Sequence, residues 1–142
     1  HVDADHVAER YYLEAGWSVE RFRSVERRTG LLEAYRDGEQ AMVFALEQVL
    51  GNYRGCVFSL GAAHTHFVTP AFIERARQIL APFEHVVLLL PSPDPARSVA
   101  ILRDRCRASG LRSWRDADCD LIERWVTDDC NREFATLTVH TE

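Results

Sequence analysis

The chain has 142 residues, 46 % of them apolar and 27 % charged, with a formal net charge of −5. That size and balance fit one globular domain with a real core and exclude a disordered chain, while the negative charge argues against nucleic acid and anionic membranes as partners. All 17 basic residues are arginine, so a Schiff-base lysine and a phosphate-binding P-loop lysine are both absent from this stretch.

No apolar run reaches the roughly eighteen residues of a transmembrane helix, and the polar, acidic opening HVDADHVAER does not read as a signal peptide. Cys56, Cys106, Cys119 and Cys130 form no CxxC pair and read as reduced thiols of a cytoplasmic protein. His1 to Asp5 reads as the end of a strand entering a loop. A helix follows from His6 to about Ala15, with Gly16 as its stop. Ser18 is placed to cap the next helix, which Thr29-Gly30 ends. Leu31 to Arg36 reads as helical, Asp37-Gly38 as a break, and Gln40 to Leu50 as an amphipathic helix with Met42, Val43, Leu46, Val49 and Leu50 on its apolar face.

After the turn at residues 51–55, Cys56 to Leu60 is a short apolar run between glycines, the pattern of a buried parallel strand. A loop from Gly61 to Thr69 leads into a helix beginning at Pro70, with Thr69 as N-cap, and Pro82 closes it. His85 to Leu90 reads as a second buried strand. The stiff turn Pro91-Ser-Pro-Asp-Pro95 puts Asp94 at the N-cap of a helix to about Ala108. Residues 109–115 read as a mobile, arginine-rich segment, Asp116 to about Asp129 as a helix, and Ala135 to His140 as an edge-like strand. Asp116 to Asp120 imitates the start of a calcium loop, but Leu121 and Thr127 stand where glycine and glutamate belong, so acidic residues in a first helical turn explain it better. Tyr11, Tyr12, Trp17, Trp114 and Trp125 read as packing residues.

Strands alternating with helices imply a parallel α/β sheet with helices on both faces, and in such sheets ligands bind beyond the carboxyl ends of the strands. Attention therefore falls on Asp3 and Asp5, on Gly61 to His66, on Pro91 to Asp94 and on the region after His140. Asp3 and Asp5 could both face a ligand, or one could cap the helix at His6. His64 and His66 could touch a substrate or be ordinary loop histidines; no third and fourth ligand is spaced for zinc.

In order along the chain, several segments resemble shikimate kinase and its kin among the P-loop small-molecule kinases. Asp3-Ala-Asp5 looks like that family's Asp-x-Asp. Phe22-Arg23-Ser-Val-Glu26 is similar to its Phe-Arg-x-x-Glu. Val57-Phe-Ser-Leu-Gly61-Ala-Ala resembles the strand ending in Gly-Gly-Gly, and Thr69-Pro70 the start of the next helix. Val86 to Leu90 with Ser92-Pro93 resembles the strand and turn before the lid, and Asn131 to Thr141 the final strand. The resemblance implies a P-loop NTPase, nucleoside-monophosphate-kinase-like fold: a three-layer αβα sandwich with a parallel sheet, as a single, partial domain over residues 1–142 with a lid near 103–116. The family's first strand and its glycine-rich Walker A loop would precede residue 1. That strand would be central, between the strands at Cys56 and His85.

The resemblance further implies ATP-dependent phosphoryl transfer to a small hydroxylated metabolite, with ATP and Mg²⁺ as cofactors. Asp3 takes the Mg²⁺ side and Asp5 the acceptor side, where a carboxylate can orient the attacking hydroxyl. Arg23, Gly61, His64, His66 and Arg124 are the further acceptor-binding candidates. Arg105 and Arg107 would meet the transferred phosphoryl group, and Arg103 and Arg112 the nucleotide, as the lid closes. Gly61-Ala62-Ala63 in place of three glycines, and a competing register that puts Val43 at the family's arginine position, argue against shikimate itself. The alternative is a non-catalytic, kinase-like module that binds a nucleotide or a partner.

Overall fold

In the computed structural model, which describes residues 1–142, the chain divides into two units, His1–Pro82 and Phe83–Glu142. The first unit is organised by one long helix. Its elements in order are β1 (Val2–Asp3), α1 (Ala4–Val7), α2 (Glu9–Glu14), α3 (Val19–Thr29), α4 (Leu31–Asn52), β2 (Phe58–Ser59), α5 (Ala62–Thr65) and α6 (Pro70–Leu80). Ser18 caps α3 by accepting the Arg21 amide at 3.2 Å, and Gly30 ends it at φ 93°, a conformation that costs glycine little.

Asp37-Gly38 does not break the chain: α4 runs unbroken for 22 residues. Gly38 lies inside it, and the Trp17 indole fills the space beside it; a Cβ there would stand 3.0 Å from Trp17 Nε1. The glycine that reads as a breaker is thus a seat for a tryptophan. Around Gly38 most of α4 is buried, from Ala34 and Tyr35 to Leu46, Val49 and Leu50. A helix apolar on most sides is a core helix. One cluster joins Ala45 and Val49 to Val2, Ala8 and Tyr11.

β1 and β2 pair in parallel, Val2 opposite Phe58 and Asp3 opposite Ser59. Their carboxyl ends release Asp5 and Gly61 toward the same place.

The second unit contains β3 (Val87–Leu90), α7 (Pro95–Ala108), α8 (Leu121–Thr127), α9 (Cys130–Phe134) and β4 (Leu137–His140). Asp94 caps α7 through the Ala96 amide at 2.9 Å, with Pro95 at its first position, as the sequence leads one to expect. β3 and β4 are parallel, from Val87 opposite Leu137 to Leu90 opposite His140. Leu90 packs with Val99, Ile122 and Val126, and Leu88, Leu102, Trp114 and Trp125 close around them. Residues 109–113 are exposed, and from Trp114 onward the chain is tied to this core. Trp114, at φ 52°, packs against Trp125 with ring centres 5.7 Å apart and the rings tilted by 60°, and Asp116 accepts the amides of Asp118 and Cys119. The helix expected from Asp116 starts only at Leu121, with Asp120 as its cap.

The three-layer αβα sandwich of a P-loop NTPase or nucleoside-monophosphate-kinase-like fold is therefore not the architecture. Nine helices carry the chain, and its strands form two separate two-stranded sheets. The parallel sense is as anticipated, but each strand finds a partner on one edge only. The two apolar runs read as buried strands are accordingly short and half-covered. Val57, Val87 and Leu89 are exposed, and β2 is two residues long. A run of apolar residues announces a strand that could be buried on both sides; it cannot supply the neighbours that would bury it.

Candidate functional site

Asp3 and Asp5 leave the end of β1 in different ways. Asp3 is the N-cap of α1: Oδ1 accepts the Asp5 amide at 3.1 Å, and Oδ2 lies 3.1 Å from His6 Nδ1. Asp5 is three-quarters exposed, and the only basic group within 4 Å of it is His64.

Beyond β2 the chain turns tightly. The His64 amide donates to the Gly61 carbonyl at 2.9 Å, and the Gly61 amide donates to His64 Nδ1, also at 2.9 Å. This reciprocal pair folds the imidazole back over its own turn, as a capping box does. It also fixes the tautomer of the neutral ring: Nδ1 accepts, so Nε2 carries the hydrogen. The His64 side chain is only 6 % exposed, and Nε2 points toward Asp5 Oδ1 at 3.8 Å. That is too long for a hydrogen bond. Gly61 sits between the two groups: a Cβ on it would lie 3.3 Å from both Asp5 Oδ1 and His64 Nδ1. Burial pushes the His64 pKa down, and the nearby Asp5 carboxylate opposes this only in part, so the ring is neutral at pH 7.

Tyr12 forms one wall, its ring parallel to His64 at 6.4 Å between centres, with Trp17 edge-on behind it at 5.3 Å. Burial, helped by the Asp5 charge, raises the Tyr12 phenol far above its usual range. The wall is therefore uncharged.

The floor is built by α4. Tyr35 donates to the His66 carbonyl at 2.8 Å, and its hydroxyl lies 3.1 Å from His66 Nδ1. One turn later the Glu39 carboxylate, fully buried, accepts from the amides of Val68 and Thr69 and from the Thr69 hydroxyl. These bonds hold the segment 61–69 on the helix. Neither residue stands out in a functional reading of the sequence. The signal for Glu39 is a carboxylate among the apolar positions of an otherwise core-facing helix, where a charge needs partners.

Of the residues marked from sequence, Asp3, Asp5, Gly61 and His64 come together. His66 does not join them: it is fully buried and turned toward Tyr35. Arg23 lies on exposed α3 surface and forms no ion pair with Asp3 or Asp5. The other arginines belong to the second unit and have partners there. Arg103 binds Asp120 and Glu123, Arg105 binds Glu142, and Arg107 lies 2.9 Å from Asp104. Arg112 covers the Trp114 ring at 4.6 Å, and Arg124 Nε is 3.2 Å from Asp128 Oδ2.

MgATP does not fit these residues as they are placed. No lysine exists in the chain, Arg103, Arg105 and Arg107 face carboxylates of their own unit, and both oxygens of Asp3 are engaged. No group of three or more His, Cys, Asp and Glu side chains is arranged to share a metal ion. No helix is long and apolar enough to cross a membrane. Among known proteins, no family model, no curated protein and no solved structure matches the chain.

Proposed function

We propose that the first unit binds a small hydroxylated metabolite at the carboxyl end of the β1–β2 pair. The observation that carries this reading is the gap between His64 Nε2 and Asp5 Oδ1. At 3.8 Å it is too wide for a direct bond, yet a hydroxyl oxygen standing off the line can reach both. Such a hydroxyl would accept from Nε2–H and donate to the carboxylate, each at about 2.8 Å. Asp5 is then the group that orients the hydroxyl and can draw its proton. Gly61 leaves the space open, and Tyr12 covers one side.

Phosphoryl transfer to that hydroxyl is the reaction the sequence resemblance supplies. The paired arginines and the absence of lysine favour a non-catalytic binding module over an enzyme, but one that holds a small hydroxylated molecule instead of the nucleotide or partner expected of a kinase-like module. Four free cysteines favour a cytoplasmic setting.

The test is a panel of small polyols titrated into the chain, followed through the amides of Gly61 and His64. The proposal expects saturable shifts at both amides, weakened at least tenfold in Asp5→Asn. Shifts elsewhere, or shifts indifferent to Asp5→Asn, contradict it. Adding MgATP with radiolabelled γ-phosphate then separates the readings. Label in the polyol means transfer; saturable polyol binding without it means a binding module.

A further inference from the structure

The charges around the His64–Asp5 gap point to a class of ligand, and this inference rests on the proposed hydroxyl site. Two carboxylates, Asp3 and Asp5, act on the His64 ring, and Asp5 acts on Tyr12. The ring and the phenol are both neutral. The basic groups within 4 Å of either carboxylate are His6, beside Asp3, and His64 itself. No arginine pairs with either one, although arginines are abundant in the chain. The site therefore carries negative charge without a cation to receive an acid. A carboxylate or phosphate on the ligand would meet Asp5 with nothing to offset the repulsion, whereas an ammonium would be attracted.

Acidic groups alone would not define a site. The independent observation is the imidazole. Its side chain is more than nine-tenths buried, its Nδ1 is locked by the Gly61 amide, and its Nε2 has no hydrogen-bond partner and faces Asp5. A donor held beside a carboxylate, yet out of bonding reach of it, can share an acceptor atom that also satisfies the carboxylate. A hydroxyl does this at Oδ1. Asp5 is three-quarters exposed and has no basic neighbour within 4 Å except His64, which leaves its second oxygen for a cation on the neighbouring carbon.

We propose that the ligand is a vicinal amino alcohol. Its hydroxyl bridges His64 Nε2 and Asp5 Oδ1, and its ammonium rests on Asp5 Oδ2, with Asp3 adding a second, more distant negative charge. The uncharged Tyr12 ring, parallel to the imidazole, offers an apolar surface to the carbon frame. This choice discriminates by charge and by the adjacency of the two polar groups.

Three probes on one frame test it: trans-2-aminocyclohexanol, trans-1,2-cyclohexanediol and trans-2-hydroxycyclohexanecarboxylate. Each is titrated into the full chain at pH 7.5 and low salt, with the Gly61 amide and the His64 ring nitrogens as readout. The expected order of affinity is amino alcohol, diol, hydroxy acid, with at least fivefold between the first and second. Asp5→Asn should collapse that order. Asp5 is mostly exposed, so the variant keeps the core intact, and Gly61→Ala, which crowds the gap, should weaken all three probes. A hydroxy acid that binds at the His64 ring as tightly as the amino alcohol overturns the assignment of charge class and leaves the hydroxyl site standing. If no probe moves the His64 nitrogens, the site and the ligand class both fail.

Discussion

His64 shows how one backbone amide can set the chemistry of a side chain. The Gly61 N–H occupies Nδ1 and so presents Nε2–H to Asp5. The same burial has a cost in acid. Because the folded ring has a pKa below 6.5, the unfolded chain binds the extra proton first as pH falls. Stability is fully present above the unfolded value of about 6.5 and declines from there down to the folded pKa. Denaturant unfolding of wild type between pH 8 and pH 5 should show this decline, and His64→Gln should show a shallower one. Equal slopes would mean that the ring is not held neutral.

Glu39 makes a second prediction at this scale. Its carboxylate is fully buried and accepts three hydrogen bonds from Val68 and Thr69. Glu39→Ala strips these partners and should cost about 2–4 kcal/mol in urea unfolding. Arg21, by contrast, binds Asp37 on the surface with two hydrogen bonds, and Arg21→Ala should leave stability close to wild type. A loss in Arg21→Ala as large as in Glu39→Ala would upset that ranking.

Helix α4 shows where local reading stops. Asp37-Gly38 has the composition of a break, yet the Trp17 indole against Gly38 makes a continuous helix the better solution. In an isolated helix, alanine would be favoured over glycine by about 1 kcal/mol. Here Gly38→Ala should destabilise instead, since the new Cβ would stand 3.0 Å from Trp17 Nε1 and 3.3 Å from Cε2. Thermal unfolding checks the sign; a stabilised variant would mean that Trp17 moves aside freely. Caps, in contrast, were legible. Ser18 before α3 and Asp94 before α7 act within three residues of themselves, so sequence contains the whole interaction. Asp94→Ala should cost about 1 kcal/mol. Glu39 reaches across 30 positions to Thr69, a distance that no local pattern encodes.

Across the whole chain, the order of the four strands and the longer helices was readable, but the short helices α5 and α9 were not, nor was the number of partners each strand finds. Parallel pairing of β1 with β2 and of β3 with β4 follows from strand–helix–strand order. Four strands divided between two sheets is a tertiary outcome, and it replaces the expected sandwich. The expectation that survives this change is positional: residues at the carboxyl ends of a parallel pair converge, and Asp5 and His64 do so. The arginines marked for a phosphate are held by Asp120, Glu142 and Asp104 in the second unit.

The central claim is that His64 and Asp5 share a ligand hydroxyl, and a nitrogen-15 spectrum of the His64 ring during titration with trans-1,2-cyclohexanediol tests it most directly. The account predicts a neutral ring protonated at Nε2 before ligand is added, and a saturable shift of that nitrogen, absent in Asp5→Asn, as the diol binds. A proton on Nδ1 in the free protein, or an Nε2 signal unmoved at saturating diol, would contradict it.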